Sequence, residues 1–176
     1  MPAVKPPTWA RRGGRLALEA LAIVAVVLAV QFWQVRGLAE GSAPPLAGKL
    51  VDGGAASLAE ALAAADGKPV LVAFWATWCG VCKAEASTLE SLAEERPVVA
   101  VATSSGSADE VRAYLAERGR KLPSIIDDEG RLAAEWHVQG LPTHFIVDRN
   151  GNIRFRMVGY TSAWGMRARL WWAEHQ

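Results

Sequence analysis

The chain has 176 residues, a length that suits one folded domain with an appendage, and its 19 basic residues nearly balance its 18 acidic ones. A net charge of +1 with the signs intermixed leaves no basic footprint for a nucleic acid. Its two cysteines stand close together, which excludes a small secreted domain stapled by a framework of disulfides.

Residues 1–15 carry Lys5, Arg11, Arg12 and Arg15 and no acid. Residues 16–35 follow as an almost wholly apolar run, with Phe32 and Trp33 near its far edge. Basic flank, apolar span and aromatic edge are the pattern of a membrane anchor whose N-terminus stays in the cytoplasm. Glu19 lies one turn from the basic end, where a carboxylate reaches the headgroups. The rival is a cleaved signal peptide. Bulky residues at 31–36 stand where its small-residue site is expected, and Gly37-Leu38-Ala39 is distant, so a retained anchor is the reading. Residues 36–45, with Gly37, Gly41, Ser42, Pro44 and Pro45, read as a flexible tether, and the folded domain is expected over 46–176.

Within that domain, 49–51 and 55–57 flank Asp52-Gly53-Gly54 as a short hairpin. Ser57 is placed to cap a helix over 58–65, with Glu60 at the position that completes a capping box. The apolar run 69–75 is a buried strand, and 84–95, rich in Ala, Leu and Glu, is a helix ended by Arg96-Pro97. Residues 98–102 form a second buried strand. Ser107 then caps a helix over 108–118 with Glu110 in the boxed position. A strand at 124–126, a short helix at 131–136, a strand at 144–147, a turn at 148–151 and an alternating strand at 152–158 follow. Thr161 or Ser162 opens a last helix through 174, where Trp164, Trp171 and Trp172 are expected mostly in the core, with Trp172 the one that points outwards. Buried strands, intervening helices and a closing hairpin give a three-layer α/β domain.

The chemistry concentrates at Cys79-Gly80-Val81-Cys82, on the junction between the strand 69–75 and the helix after it. A thiolate attacks disulfides, and the unpaired N–H groups of a helix N-terminus stabilise one there. Cys79 is therefore the expected nucleophile. Cys82, one turn deeper, closes the disulfide or resolves a mixed one. Gly80 lets a partner's backbone come near. Two unrelated buried thiols, or half of a metal site, are the bland alternatives.

The stretches Phe74-Trp75-Ala76-Thr77-Trp78-Cys79-x-x-Cys82-Lys83-x-Glu85 and Gly140-Leu141-Pro142-Thr143-x-Phe145-Ile146-Val147-Asp148-x-x-Gly151 carry a resemblance. From Leu46 onwards the chain resembles the membrane-anchored, exported thioredoxin-like proteins of the TlpA, ResA and cytochrome-c-maturation groups. It is most similar to the copper-sensitivity-suppressor D type of disulfide oxidoreductase. The resemblance implies a thioredoxin fold, α/β/α around a central mixed sheet, with a cis peptide bond at Pro142. That bond would bring the backbone of Leu141 beside Cys79 for strand-like pairing with a substrate. It implies Trp78, Gly80, Val81, Leu141, Pro142 and Thr143 as the substrate-facing set. Thioredoxin's buried Asp is matched by Ala73. Glu85 instead matches the acid of the TlpA/ResA-like group, expected to take a proton from Cys82. Ser87 replaces a helix-kinking proline and Val81 the usual proline between the cysteines, so the redox poise does not carry over.

Among the remaining residues, Trp75 reads as core and Lys83 as a solvated helix lysine. His144 is expected in ordinary packing, with approach to the disulfide as the alternative. His137 and His175 have no arrangement that makes them ligands.

Three functions compete. The first is a thiol–disulfide oxidoreductase of the bacterial inner membrane, with its domain on the periplasmic side and no cofactor besides its own disulfide. Its partners would be exported cysteine-containing proteins, an apocytochrome c or a copper-stress protein among them. As a reductant it would draw electrons from a membrane thiol reductase of the DsbD kind, because that compartment is oxidising; an oxidant or isomerase is the alternative. The second is a copper-binding module using both thiolates, for which no further ligands stand near. The third is a thiol peroxidase, which needs a threonine where Ala76 stands.

Overall fold

The computed structural model describes residues 8–176, without the side chains of residues 8–17, 31 and 32. Lys5 lies outside the described residues, as do the side chains of Arg11, Arg12, Arg15 and Phe32. Two compact units meet between Arg36 and Gly37.

The first unit holds one long helix, α1 (Thr8–Val35). Its segment Leu18–Val35 has a mean hydropathy of 2.0 and is not buried, so it is long and apolar enough to cross a membrane. Leu18, Leu21, Ile23 and Leu28 are all exposed around it, which suits a helix with lipid for solvent.

The second unit opens with a hairpin, β1 (Ala47–Lys49) and β2 (Ala55–Ser57). α2 (Leu58–Ala64) follows, its Glu60 N–H bonded to Ser57 Oγ. The expected capping box is half formed here, because the Glu60 carboxylate takes the Ser57 hydroxyl rather than the Ser57 backbone N–H. Then come β3 (Val70–Trp75), α3 (Gly80–Glu95), β4 (Val98–Thr103), α4 (Ala108–Glu117) and β5 (Ser124–Asp127). α5 (Arg131–Glu135), β6 (Thr143–Val147), β7 (Ile153–Val158) and α6 (Ala163–Glu174) complete it. At α4 the capping box of Ser107 and Glu110 is complete, and the Ser107 bonds hold the Glu110 carboxyl below its ordinary range.

The sheet runs β5-β4-β3-β6-β7. β3 pairs parallel with β4 and antiparallel with β6, so the sheet is mixed and β3 lies at its centre. All six residues of β3 are buried, which is why it reads as an unbroken apolar run instead of an alternation. On one face Leu71, Ala73, Trp75 and Ile146 share a core with Leu89 and Leu92 of α3, Val111 of α4, and Met166 and Leu170 of α6. On the other, Phe74, Trp136 and Phe145 form an aromatic cluster, with Trp136 and Phe145 4.8 Å apart and edge-on. Two polar anchors are sealed within: Trp75 Nε1–H donates to Ser124 Oγ at 3.0 Å, and Asp127 accepts from Thr103 and from the N–H groups of Leu132 and Ala133.

Two expectations are corrected. Trp164 and Trp171, expected in the core, are exposed at 80% and 56%, while Trp172 points outwards as expected, at 55%. The buried stripe of α6 is Met166, Leu170 and Ala173, four and three residues apart, and the tryptophans fall on the opposite arc. The tether expected over 36–45 is packed. Leu38 and Ala39 are buried, Ala39 N–H donates to Trp136 O, and Ile153 N–H and Ala43 N–H close on Gly41 O and Gly151 O. The segment is a strap on the hairpin between β6 and β7, not a free linker.

Deleting residues 37–45 removes a buried leucine and several backbone bonds. The expected loss is about 3 kcal/mol, or roughly 10 °C in Tm by calorimetry, against a chain that keeps the strap.

Candidate active site

β3 delivers the chain to the C-terminal end of the central strand, and α3 begins beyond it with Cys79 as its N-cap. An N-cap residue satisfies an orphan helix N–H with a side-chain acceptor, usually an oxygen. Here the acceptor is sulfur: Cys82 N–H donates to Cys79 Sγ at 3.1 Å. The two cysteines are joined as a disulfide, Cα atoms 5.2 Å apart, each about 5% exposed (6% and 5%). The helix therefore starts at Gly80, with the cysteine pair in its first turn as expected.

Trp78 and Val81 stand out beside this bond, 63% and 44% exposed, and Gly80 is exposed between the cysteines. Trp78 is held in place by its indole N–H, which donates to Ser104 O at 2.8 Å. Thr77 N–H donates to Ser105 Oγ, and that hydroxyl donates to Thr103 O. Ser104 adopts a φ of 45°, uncommon outside glycine. The loop after β4 thus supports the cysteine turn, a role its sequence did not announce beyond its run of serines.

The pairing of Phe74 with Thr143 brings the start of β6 to the same end of the sheet as the cysteine turn. The Leu141–Pro142 bond is cis. Leu141 is half-buried against the core cluster that includes both cysteines, and its N–H and C=O enter no loop or turn hydrogen bond among the described residues. Pro142 is buried, and its carbonyl accepts from Gly159 N–H. Thr143 departs from the expected substrate-facing set. It is fully buried, paired with Phe74 and Val158 on either side, and its hydroxyl turns back to Gly140 O. A residue inside the ladder has no surface to offer.

Glu85 lies one turn beyond Cys82 on the buried side of α3, with no exposure. Its Oε1 accepts from Thr161 N–H at 2.7 Å, and its Oε2 is 3.1 Å from Nε2 of His144, which is equally buried. His144 thus sits beside Glu85, a pairing the sequence reading did not foresee. Nothing local signals it, since the two residues come from different elements. Lys83 is exposed, as are His137 and His175, the last with its Nδ1 2.7 Å from Trp171 O. Among the described residues no group of three or more His, Cys, Asp or Glu side chains is placed to hold a metal ion. The far end of α3 is clamped to α6 by Arg167, whose bidentate hydrogen bonds hold the Glu95 carboxyl below its ordinary range.

Residues 40–156 match the AhpC/TSA family. A thioredoxin-like protein from Haemophilus influenzae is 36% identical over 108 residues, 61% of this chain and 64% of that one. The chain thus spans a little under two thirds of that relative's length. The thiol:disulfide interchange protein DsbE of Escherichia coli is 31% identical over 158 residues, covering 82% and 85% of the two chains. A crystal structure from Chlorobium tepidum, described as a thiol:disulfide interchange protein DsbE, superposes with a TM-score of 0.67 at 26% identity, over 78% of this chain and 99% of that one.

Trp78 is exposed beside the disulfide and lies outside the core, which suits a contact surface. Trp78→Ala is expected to slow reaction with a protein disulfide by about tenfold while leaving reaction with glutathione disulfide within about twofold. Parallel second-order rate measurements on the two substrates check this.

Proposed function

Because the chain belongs to the AhpC/TSA family, among its thioredoxin-like members, we propose that it is a membrane-tethered thiol–disulfide oxidoreductase that reduces disulfides of exported proteins. The observation that carries this reading is Cys79 as the N-cap of α3, in a disulfide with Cys82, at the same end of the sheet as the cis Leu141–Pro142 bond. Ala76 supplies no hydroxyl three residues before Cys79, so the site lacks the threonine that a peroxidase uses there.

In the reduced chain, the Cys79 thiolate attacks one sulfur of a substrate disulfide. A Cys79–substrate disulfide forms and one substrate thiolate leaves. Cys82 gives its proton to the Glu85 carboxylate, and its thiolate then attacks Cys79 Sγ. The Cys79–Cys82 bond closes and the second substrate thiolate is expelled. Two electrons pass from the dithiol to the substrate, and no other redox group takes part. Trp78, Gly80 and Val81 form the rim against which the substrate lies, and the free backbone of Leu141 pairs with its strand-like segment.

In this reading α1 is a membrane anchor and the domain works on the outer face of the inner membrane, on exported cysteine-containing proteins such as an apocytochrome c; the apolar segment Leu18–Val35 and the DsbE-type relative support it. Reduction in that oxidising compartment draws on a membrane thiol reductase of the DsbD kind.

Equilibrating the full chain, in detergent, with glutathione buffers is expected to give a potential near that of thioredoxin, roughly −270 mV. A value near −120 mV overturns the reductive direction in favour of an oxidant. Cys82→Ser is expected to accumulate a mixed disulfide with substrate, seen as a mass shift reversed by thiol, and Cys79→Ser to form none.

A further inference from the structure

Among the described residues, Glu85 and His144 are the two side chains of ionisable type with no exposure at all. They come from different elements, α3 and β6, and meet where Glu85 lies one helical turn beyond Cys82 on the buried side of α3. Isolated charge there is costly, because the surrounding core is apolar and the solvent that would screen a carboxylate is excluded. Such a group persists when donors fix it. One donor is plain: Thr161 N–H on Oε1 at 2.7 Å. The second oxygen, Oε2, faces Nε2 of His144 at 3.1 Å, yet the two do not form an aligned hydrogen bond, and neither has another partner among the described residues. His144 Nδ1 is likewise unpartnered among them.

The place of His144 in the sheet explains how the ring reaches the acid. His144 pairs across the ladder with Ala73 on one side and Met157 on the other. The alanine leaves room beside it on the face that α3 covers. On that face of α3, Cys82 and Glu85 are three residues apart, the spacing of side-chain neighbours. A carboxylate that must take a proton from Cys82 has to point one lone pair at that sulfur. One fixed oxygen leaves the carboxylate free to pivot about its bond to Thr161. A second donor on Oε2 removes that freedom.

We propose that His144 is a positioning residue of the resolving step, its Nε2–H holding Oε2 so that the Glu85 carboxylate faces Cys82. The inference rests on the oxidoreductase function proposed above. In the oxidised state Cys82 carries no proton and the contact is loose. Once Cys82 is a thiol, transfer of its proton to Glu85 has a purpose, and catalytic hydrogen bonds commonly tighten in the reacting state. The step itself is balanced as above: the Cys82 S–H bond breaks, the proton goes to Glu85, and the sulfur lone pair forms the Cys79–Cys82 bond as the substrate thiolate leaves. His144 neither gains nor loses a proton in it.

The test uses the full chain in detergent, reduced and mixed with a disulfide-bonded peptide, then acid-quenched for mass spectrometry. Formation of the mixed disulfide reports the attack by Cys79; its decay reports resolution by Cys82. His144→Phe fills the site without a donor and is expected to slow resolution at least about tenfold, leaving attack within about twofold. His144→Gln restores an N–H and is expected to recover most of that rate. Glu85→Gln is expected to slow resolution by about a hundredfold, and adding His144→Phe to it is expected to slow it no further. Normal resolution in His144→Phe, equal slowing in the Phe and Gln variants, or effects that multiply with Glu85→Gln each overturn the proposal while leaving the oxidoreductase reading intact. Failure of the unaltered chain to form any mixed disulfide through Cys79 overturns both. If His144→Phe melts below the assay temperature, His144→Met, also without a donor, takes its place with the same expectations.

Discussion

A helix that starts directly from a buried strand has N–H groups to satisfy and little room for a capping side chain. Here Cys79 meets that need with its sulfur, which accepts the Cys82 N–H at 3.1 Å. The same bond that starts α3 holds the reactive atom in the positive end of a helix. Structure and chemistry thus share one atom. β3 has to be fully buried to hold the junction rigid, both faces of the sheet have to be covered to bury β3, and the loops after β4 and before β6 have to meet at that end. Trp78 on Ser104, Thr77 on Ser105 and Phe74 opposite Thr143 are the contacts through which this happens.

What was legible in the sequence follows the range of the forces involved. Caps, turns and the cysteine spacing act within a few residues, so Ser57, Ser107 and the cysteine pair fall where their neighbours place them. β3 was legible because burial on both faces writes an uninterrupted apolar run. The order of elements along the chain, from the hairpin β1–β2 to α6, was legible for the same reasons, and the resemblance supplied the thioredoxin fold and the cis bond at Pro142.

Long-range facts were not written locally. Gly37, Gly41, Pro44 and Pro45 have the composition of a linker, but backbone groups bond whatever lies within reach, and Asn152, Gly151 and Trp136 lie within reach of that segment. The tryptophans of α6 show a second limit. A large apolar residue is expected inside, yet the arc that faces the core is fixed by Met166, Leu170 and Ala173, and spacing alone did not reveal which of two apolar arcs the sheet would cover. Thr143 shows a third. Its motif places it beside the reactive segment, while its position between Phe74 and Val158 shuts it inside the ladder.

The pairing of Glu85 with His144 is the case where local reading and physical cost point in opposite directions. Composition treats a glutamate in an Ala- and Glu-rich helix as solvated, and on Glu90, Glu94 and Glu95 of the same helix that holds in whole or part. Glu85 is sealed because its helical phase is that of Cys82, Leu89 and Leu92, the phase that faces the sheet. A polar pair in that place is a poor way to stabilise a fold, since apolar residues of similar size in place of a buried ion pair are often neutral or stabilising. Stability alone therefore does not account for an acid one turn behind the resolving cysteine and an imidazole 3.1 Å from it. The proton transfer proposed at Cys82 does, because a thiol buried to 5% exposure has little direct access to water as a base and needs one supplied from within.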